Sequence, residues 1–261
     1  MFYLVRAKPY SSLKELKNLI DNGYISSLRP FGRALNYSLQ NTKYEFSGHI
    51  VWEEEDYCSP PLAMEREEVL DHYFKELTVE PVKKGEGWRS IRHLPSLWLL
   101  HTGLPVRKGE KPLTRKGMPH QQLNQNPKIE IYKNLAELLF DIPGVKEEMS
   151  LVSVPEARAL WLSLNNLKFS EDAFMVNREF AHLHPPYDGS IHLMAPPNWL
   201  DEILEKGWGE KHPLAGQILP NNAIMIYAPR DEDEVKIVYN LVLLSYWRAR
   251  GEKIPNPRTI G

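Results

Sequence analysis

A basic stretch rich in proline, residues 101–128, interrupts the chain of 261 residues. Proline lacks a backbone N–H and fixes φ, so four prolines exclude a continuous helix in this stretch: Pro105, Pro112, Pro119 and Pro127. Its Lys and Arg residues are offset only by Glu110. We expect residues 98–128 to form an exposed linker or a long loop wrapped over a neighbouring domain, and the alternative is a surface for an anionic partner. The chain is therefore predicted to hold two domains, 1–97 and 129–261.

Composition sets limits on the kind of protein. A hydrophobic content of 42% and a charged content of 25% are typical of a globular chain that can bury a core. The formal net charge of -2 gives no support for nucleic-acid binding. The sequence lacks the run of about 18 to 20 apolar residues that a transmembrane helix needs. The apolar run at its start is too short for a signal peptide. The single cysteine, Cys58, suits a reducing compartment, so we expect a cytoplasmic protein without a membrane partner.

The first domain is predicted to be a small α+β sandwich of ferredoxin-like character. Strands are expected at residues 2–7, from His49 to Trp52, and at 77–82, where Pro81 favours an edge strand. The spacing of leucines after Ser12 predicts a helix that ends at Gly23. Two further helices are expected at residues 31–39 and 63–76. A possible homodimer would form through this domain.

The second domain is predicted to be an antiparallel sheet with a long C-terminal helix. Helices are expected at 129–140, 197–206 and 231–250. The last has acidic residues at its start and Arg248 and Arg250 at its end, which complements the helix dipole. Its buried face is predicted to consist of Val235, Val238, Val242, Ser245 and Tyr246. Strands are expected at 149–154, 157–164, 174–184, 190–195 and 223–227.

Four of the nine histidines lie within 31 residues of this domain: His182, His184, His192 and His212. His182 and His184 alternate on a predicted strand, so their side chains project from one face. The segment 185–189 reverses the chain, and His192 on the returning strand could then oppose either of them. Three imidazoles would converge, with His212 arriving from a later loop.

The histidine cluster admits three interpretations. Neutral imidazoles are common metal ligands, so His182, His184 and His192 could bind zinc, iron or copper. Alternatively, histidines act as acid and base on a substrate, because their ordinary pKa lies near neutrality. The third possibility is a polar layer of hydrogen-bonded histidines. The charged neighbours of the cluster favour a site over a polar layer.

Other residues could contribute to substrate binding. Alternation places Arg178 on the face of His182 and Glu179 on the opposite face, so Arg178 could bind an anionic oxygen or pair with a carboxylate. Arg230 follows a strand and either contacts a ligand or pairs with the acidic first turn of the last helix. Trp208, between two glycines, either forms the wall of an aromatic-ligand site or fills the core. The sequence contains no phosphate-binding glycine loop, dinucleotide fingerprint or nucleophile elbow.

The second domain resembles the luciferase family of luminous fungi over about residues 130–250. The resemblance is carried by the blocks 177–184, Asp188, 192–193, 206–209, 212–216 and 227–230. Fungal luciferases oxidise 3-hydroxyhispidin, a hydroxylated pyrone, with O2 and emit light, without a known metal or organic cofactor. The fungal enzymes carry a hydrophobic N-terminal anchor, where we expect an unrelated domain here. Their hairpin has an additional histidine where this chain has Pro185, Pro186 and Tyr187, so light emission is not implied.

The resemblance implies a small-molecule site and metal-free chemistry with O2 as co-substrate. Its blocks assign catalytic roles to His182, His184, His192 and Asp188. The substrate-binding candidates are Arg178, Trp208, His212, Tyr227 and Arg230. We expect a cofactor-independent oxygenase for an enolic or aromatic compound, in which a histidine removes a proton and an arginine holds the anion. A His-ligated metalloenzyme and a non-catalytic ligand-binding or regulatory protein are the alternatives.

Overall fold

The computed structural model describes residues 1–163 and 170–260, which form two compact units. The first unit is Met1–Gly103 together with the residues from Pro257 onward, and the second is Leu104–Asn256. Each unit combines helices with an antiparallel sheet. The predicted α+β class is therefore confirmed.

The first unit is built on a four-stranded antiparallel sheet with strand order β2-β3-β1-β4. Its strands are β1 (Phe2–Pro9), β2 (Lys43–Tyr44), β3 (Ile50–Glu55) and β4 (Phe74–Val82). Between β1 and β2 lie the helices α1 (Leu13–Asp21), α2 (Tyr24–Ser27) and α3 (Gly32–Gln40). Between β3 and β4 lie α4 (Ala63–Glu65), a π-helical turn (Arg66–Leu70) and α5 (Asp71–Tyr73). This order is that of the predicted ferredoxin-like arrangement.

Period-two and helical spacing account for the core of this unit. Tyr3, Val5 and Ala7 point inward from β1, while Leu13, Leu16 and Ile20 form the buried face of α1. Ser12 caps α1 by accepting a hydrogen bond from the Glu15 N–H at 3.3 Å. The sequence pattern therefore specifies both the strand and the helix that covers it.

The predicted helix from residue 63 to residue 76 ends three residues too late. Tyr73 is its last helical residue, and Phe74 begins β4, where it pairs with Pro9 of β1. The buried Phe74 ring packs on Trp52, with ring centroids 5.7 Å apart. Sheet pairing thus overrides helical spacing at this point. Two short helices not expected from the sequence follow β4, α6 (Glu86–Ile91) and α7 (Leu97–Thr102).

The second unit contains a six-stranded antiparallel sheet with strand order β5-β6-β7-β8-β10-β9. Its strands are β5 (Val145–Met149), β6 (Arg158–Leu162), β7 (Glu179–Leu183), β8 (Ile191–Met194), β9 (Gly209–Lys211) and β10 (Ala223–Ile226). Its helices are α8 (Ile129–Phe140), α9 (Leu200–Glu205) and α10 (Glu232–Ala249), with 3-10 turns at Glu171–Ala173 and Pro197–Trp199. The predicted face of α10 is buried throughout, and Ser245 on it donates to the Met194 carbonyl at 2.8 Å. Helix α10 packs on β7 and β8, which carry the histidines.

Several predicted strand bounds in this unit are wrong. Residues 150–154 form a loop after β5 instead of a strand, because Glu179 binds the Ser150 hydroxyl and the Leu151 N–H. Strand β7 begins at Glu179, five residues later than expected, and β9 was not predicted. The predicted end of the strand at Leu164 lies outside the described residues.

The basic proline-rich stretch begins with the last two residues of α7 in the first unit and continues as an irregular segment, residues 104–128, in the second. This segment is tied to the second unit by backbone and side-chain hydrogen bonds. Arg107 N–H donates to the Lys206 carbonyl at 2.9 Å, and Gln122 Oε1 accepts from the Ala228 N–H at 3.0 Å. Its residue His120 is buried as a result. No helix in residues 1–163 and 170–260 is both long and apolar enough to cross a membrane.

Candidate histidine site

The hairpin of β7 and β8 brings three histidines together. His182 and His192 are directly paired across the antiparallel ladder, and His184 follows the end of β7. The His184 and His192 rings have centroids 4.5 Å apart, and the His182 and His184 rings stack at 5.3 Å. All three side chains are buried. The convergence predicted from the alternation of the strand is present.

A chain of hydrogen bonds fixes the protonation of His182 and His192. The Glu179 carboxylate can only accept, so His182 donates to it from Nδ1 at 2.7 Å. His182 Nε2 must then accept from His192 Nδ1, which lies 3.0 Å away. His192 is left with a lone pair on Nε2, and that buried atom has no hydrogen-bond partner among the described residues. We name this chain, Glu179–His182–His192, the glutamate relay.

Glu179 belongs to this relay because of a β-bulge. The register of β6 against β7 shifts between Leu160 and Trp161, so that Trp161 pairs with Glu179 and Phe180 is skipped. The regular alternation that placed Glu179 on the opposite face from His182 is broken there. The prediction that Glu179 points away from the histidines is therefore wrong, and the bulge is the physical reason.

A second chain of hydrogen bonds runs alongside the first. His184 Nδ1 lies 2.5 Å from Asp188 Oδ2, and His184 Nε2 lies 3.0 Å from the Ser153 hydroxyl. Since a carboxylate accepts from Nδ1–H, His184 Nε2 carries the lone pair and Ser153 donates to it. Asp188 is held in turn by the N–H and hydroxyl of Ser190, at 3.0 and 2.6 Å. We name this chain, Asp188–His184–Ser153, the aspartate relay.

Two more histidines complete the cluster around His192. His212 approaches it with a centroid distance of 4.8 Å, and His120 from the proline-rich segment stacks on it at 5.1 Å. His120 Nε2 donates to Glu210 at 2.9 Å, so its lone pair is on Nδ1, another buried atom without a partner among the described residues. His212 Nδ1 accepts from the Leu214 N–H at 3.1 Å, which puts the proton of this ring on Nε2.

The electrostatics of the cluster favour neutral imidazoles. Burial, followed by repulsion from the other histidines, lowers the pKa of His192 well below its ordinary value. The same causes lower the pKa of His212 to about 4. Burial also lowers the pKa of His120 and of His182, although Glu210 and Glu179 oppose this effect. At neutral pH the histidines with lowered pKa values therefore present lone pairs and N–H groups without a positive charge.

A cavity of about 190 Å³ opens beside the cluster. His120, His184, His192 and Ser153 contribute its polar lining, and Met118, Pro119, Val152 and Val154 contribute its apolar walls. Ligand sites for drug-sized molecules usually occupy about 300–1,000 Å³. This cavity therefore suits a small molecule or one end of a longer one.

Two sets of three histidines have ring nitrogens close enough to share a metal ion. In the predicted set, His182, His184 and His192, only His192 Nε2 is uncommitted, because the other nitrogens serve the two relays. In the second set, His120 and His192 offer free lone pairs, but His212 would have to release the Leu214 N–H. Catalytic zinc usually takes three protein ligands. The tautomers inferred from the hydrogen bonds supply two lone pairs for a metal at this place.

The other predicted site residues lie outside the cavity lining. Arg230 pairs with Glu234, with 2.9 Å between Nε and Oε1, and also donates to the Lys108 carbonyl at 2.7 Å. Trp208 is buried and donates from its indole N–H to the Pro105 carbonyl at 2.7 Å.

Arg178 is half-buried beside the start of β7, and the Tyr227 hydroxyl donates to Glu210 at 3.2 Å. Tyr227 thus joins the network through the carboxylate that also binds His120.

Sequence reasoning missed three residues of the site: His120, Ser153 and Glu210. His120 lies in the segment read as a connector, and Ser153 lies in a segment read as a strand. Hydrogen bonds from Lys111, His120 and Thr114 outweigh the burial of Glu210 and lower its pKa to about 2, so it stays a carboxylate. His120 and Ser153 come from segments distant in sequence from the hairpin, and Glu210 lies on β9, a strand that the sequence did not predict.

Comparison with known proteins shows a family to which most of this site is similar. The model of the luciferase domain family matches residues 177–245, which contain both relay carboxylates and all four histidines of the predicted cluster. Residues 177–245 are therefore similar to a luciferase domain. The chain is also 28% identical over 168 residues to a luciferase of Armillaria mellea, covering 53% of this chain and 58% of that protein. With a luciferase of Neonothopanus nambi, it is 36% identical over 80 residues, covering 30% of each.

The resemblance predicted from the sequence blocks is confirmed for residues 177–245. The chain spans about 58% of the length of the Armillaria luciferases. No solved structure matches the chain. His120 and Ser153 lie before the matched residues, although both line the cavity beside the histidines.

Proposed function

We propose that the second unit, which is similar to fungal luciferases, is a small-molecule enzyme in which His192 acts as a general base on an enolic or aromatic, pyrone-like substrate, with O2 as co-substrate. The observation that supports this proposal is the buried lone pair of His192 Nε2, fixed by the glutamate relay. A base that is neutral, oriented and shielded from water is suited to removing a proton from a bound hydroxyl or acidic C–H. His192 also lines the cavity.

The glutamate relay accepts the proton of the substrate, and His212 donates a hydrogen bond to the anion that forms. The proton from the substrate moves to His192 Nε2, and the positive charge is stabilised through His182 by the Glu179 carboxylate. The enolate oxygen accepts a hydrogen bond from His212 Nε2–H, whose ring centroid is 4.8 Å from that of His192. The electron-rich enolate carbon then forms a bond to O2, and the resulting peroxide anion takes the proton back from His192. His212 does not line the cavity itself and acts through its ring contact with His192, which does. Arg178 and Arg230 have no part in this scheme, and Arg230 pairs with Glu234 instead.

Replacement of His192 tests the proposal. The His192→Gln variant should lose at least about 100-fold in kcat for O2 uptake with a 3-hydroxy-2-pyranone, because it removes the base and keeps a polar side chain. O2 uptake in an oxygen electrode, with photon counting on the same sample, is the measurement. His72→Gln is the matched control, since His72 is an exposed histidine of the first unit. Equal uptake by His192→Gln and His72→Gln would rule out the general-base role.

Glu179→Gln separates the relay from simple packing. The amide keeps the shape and one hydrogen bond but loses the charge that stabilises the His192–His182 pair when it is protonated. The expected result is a lower kcat with KM little changed and an altered acidic limb of the kcat profile. A loss confined to thermal stability would assign Glu179 a purely structural role.

A metalloenzyme is the second candidate, favoured by the two unpaired lone pairs on His120 Nδ1 and His192 Nε2. Elemental analysis of the freshly purified protein, compared with a His120→Gln variant, decides between the candidates. One equivalent of metal that the variant loses would support the metal site and contradict the metal-free scheme. A pyranone that binds but is recovered unchanged under O2 would identify a ligand-binding protein instead.

A further inference from the structure

We infer that Ser153 is a nucleophile for acyl transfer, activated by His184 and oriented through Asp188, and that it acts on small esters or lactones. The inference starts from the aspartate relay, in which the Ser153 hydroxyl is 3.0 Å from His184 Nε2 and His184 Nδ1 is 2.5 Å from Asp188 Oδ2. A hydroxyl, an imidazole and a carboxylate linked in this order form the constellation that activates serine. The three residues occur in the chain order Ser, His, Asp, with no nucleophile elbow.

The fold holds the aspartate and the histidine rigidly. Asp188 is fully buried, and both of its oxygens accept hydrogen bonds, from His184 on one side and Ser190 on the other. The turn before it is closed by hydrogen bonds from the Asp188 and Gly189 N–H groups to the Pro185 carbonyl, at 2.9 and 2.8 Å. Gly189 has φ +72°, and a Cβ there would come within 2.4 Å of Pro127. The carboxylate therefore keeps His184 in the tautomer that accepts from serine.

Ser153 itself is placed where a substrate can reach it. Unlike Asp188, it is half-buried, and it lines the cavity with His184. Among the residues that the structure describes, none accepts a hydrogen bond from the backbone N–H of Ser153 or of Val154. These two donors, one of them on the nucleophile residue itself, are available to a carbonyl oxygen that gains negative charge.

The reaction balances without any oxidant. Ser153 Oγ bonds to the carbonyl carbon of the substrate while its proton passes to His184 Nε2. The tetrahedral intermediate collapses, its C–O bond to the alcohol breaks, and His184 returns the proton to the departing oxygen. Water then transfers one proton to His184 and bonds to the acyl carbon. The bond from that carbon to Ser153 Oγ breaks and His184 returns the proton to Oγ, which releases a carboxylic acid and restores the Ser153 hydroxyl. In a lactone the alcohol and the acyl group stay in one molecule, so the product is a hydroxy acid.

The cavity limits the acyl group. Its volume of about 190 Å³ and its walls of Met118, Pro119, Val152 and Val154 suit a short or flat acyl group. This activity is independent of the oxygen chemistry proposed above, because it needs neither O2 nor the lone pair of His192. Assays in anaerobic buffer therefore distinguish the two.

The test uses two small probes on the full chain, p-nitrophenyl acetate for turnover and diisopropyl fluorophosphate for labelling. Wild-type protein should hydrolyse the ester anaerobically with saturation kinetics, and peptide mass mapping should find the phosphoryl group on Ser153. Ser153→Ala should lower kcat/KM at least about 100-fold and abolish the label. Ser163→Ala is the matched control, because Ser163 is also half-buried but donates to the Gly144 carbonyl at 2.8 Å. It should behave as wild type.

Asp188→Asn tests the orienting carboxylate. The amide can donate to His184 Nδ1 and so favours the wrong tautomer, which should reduce kcat far more than KM and change its pH profile. Ester hydrolysis by Ser153→Ala at the rate of Ser163→Ala would overturn the inference. So would a phosphoryl label on any other residue, or wild-type protein that neither hydrolyses the ester nor takes up the label.

Discussion

Glu54 shows how much a single buried carboxyl can influence stability. It lies fully buried on β3, accepts from the Trp52 indole at 3.1 Å through Oε2, and leaves Oε1 without a partner among the described residues. Burial raises the pKa of Glu54 to about 8, and Glu65 and Asp56 add repulsion. The folded state therefore holds a proton that the unfolded state loses above its ordinary pKa. The stability that this group contributes is complete below its ordinary pKa of 4.5 and is lost as the pH rises from there to about 8.

Glu54→Gln should raise the stability of the first unit. The amide keeps the hydrogen bond to Trp52 and removes the cost of retaining the proton, which is about 3 kcal/mol at pH 7 as an upper limit. The gain should grow between pH 5 and pH 8, as measured by urea unfolding. Glu80→Gln, an exposed change on β4, should leave the midpoint unchanged. A gain of the same size at both pH values would contradict the buried-proton explanation.

At the residue level, the sequence predicted those parts of the site that lie close together in the chain. His182, His184, His192 and Asp188 belong to one hairpin, so alternation and a turn were enough to bring them together. His120 and Ser153 come from other segments, and no period or motif links them to the hairpin. Glu179 was close in sequence but was placed on the wrong face, because a bulge depends on pairing with β6 and leaves no local signature.

At the level of elements, α10 is the best-specified part of the fold. Asp231 caps it by accepting from the Glu234 N–H at 2.9 Å, and acidic residues fill its first turn. Asp231→Ala should cost about 1 kcal/mol of unfolding free energy, while Asp231→Asn, which keeps the capping oxygen, should cost much less. Thermal unfolding of both variants measures the difference. Equal losses would mean that the charge of Asp231 matters more than its hydrogen bond.

Elements whose pattern is local were predicted well, and elements set by pairing were not. Helices α1, α3 and α8 and the buried face of α10 follow from apolar spacing, and capping side chains mark the starts of α1 and α10. The start of β4 at Phe74, the loop at residues 150–154 and the short β9 depend on partners distant in sequence. The proline-rich segment was recognised as irregular, but its composition did not show that it carries His120 to the cluster.

At the scale of the whole molecule, the two units contain buried groups with opposite proton linkage. Glu54 in the first unit has a raised pKa, so acidification stabilises that unit. In the second unit, burial lowers the pKa of four histidines: His120, His182, His192 and His212. Their unfolded forms bind protons below pH 6.5 while the folded forms stay neutral, down to about pH 4 for His212. The stability that these histidines contribute to the second unit is therefore complete above pH 6.5, and it falls as the pH decreases from 6.5 towards 4.

Acidification should therefore change the thermal stabilities of the two units in opposite directions. Between pH 7.5 and pH 5, the Tm of the first unit should rise and that of the second should fall, as resolved by calorimetry and assigned by hydrogen exchange of peptides from each unit. Glu54→Gln should remove most of the rise, and His212→Gln should reduce the fall, since each removes one of the linked protons. His72→Gln should alter neither slope, because His72 is exposed. A fall of equal size in both units would show that general acid destabilisation outweighs the buried groups.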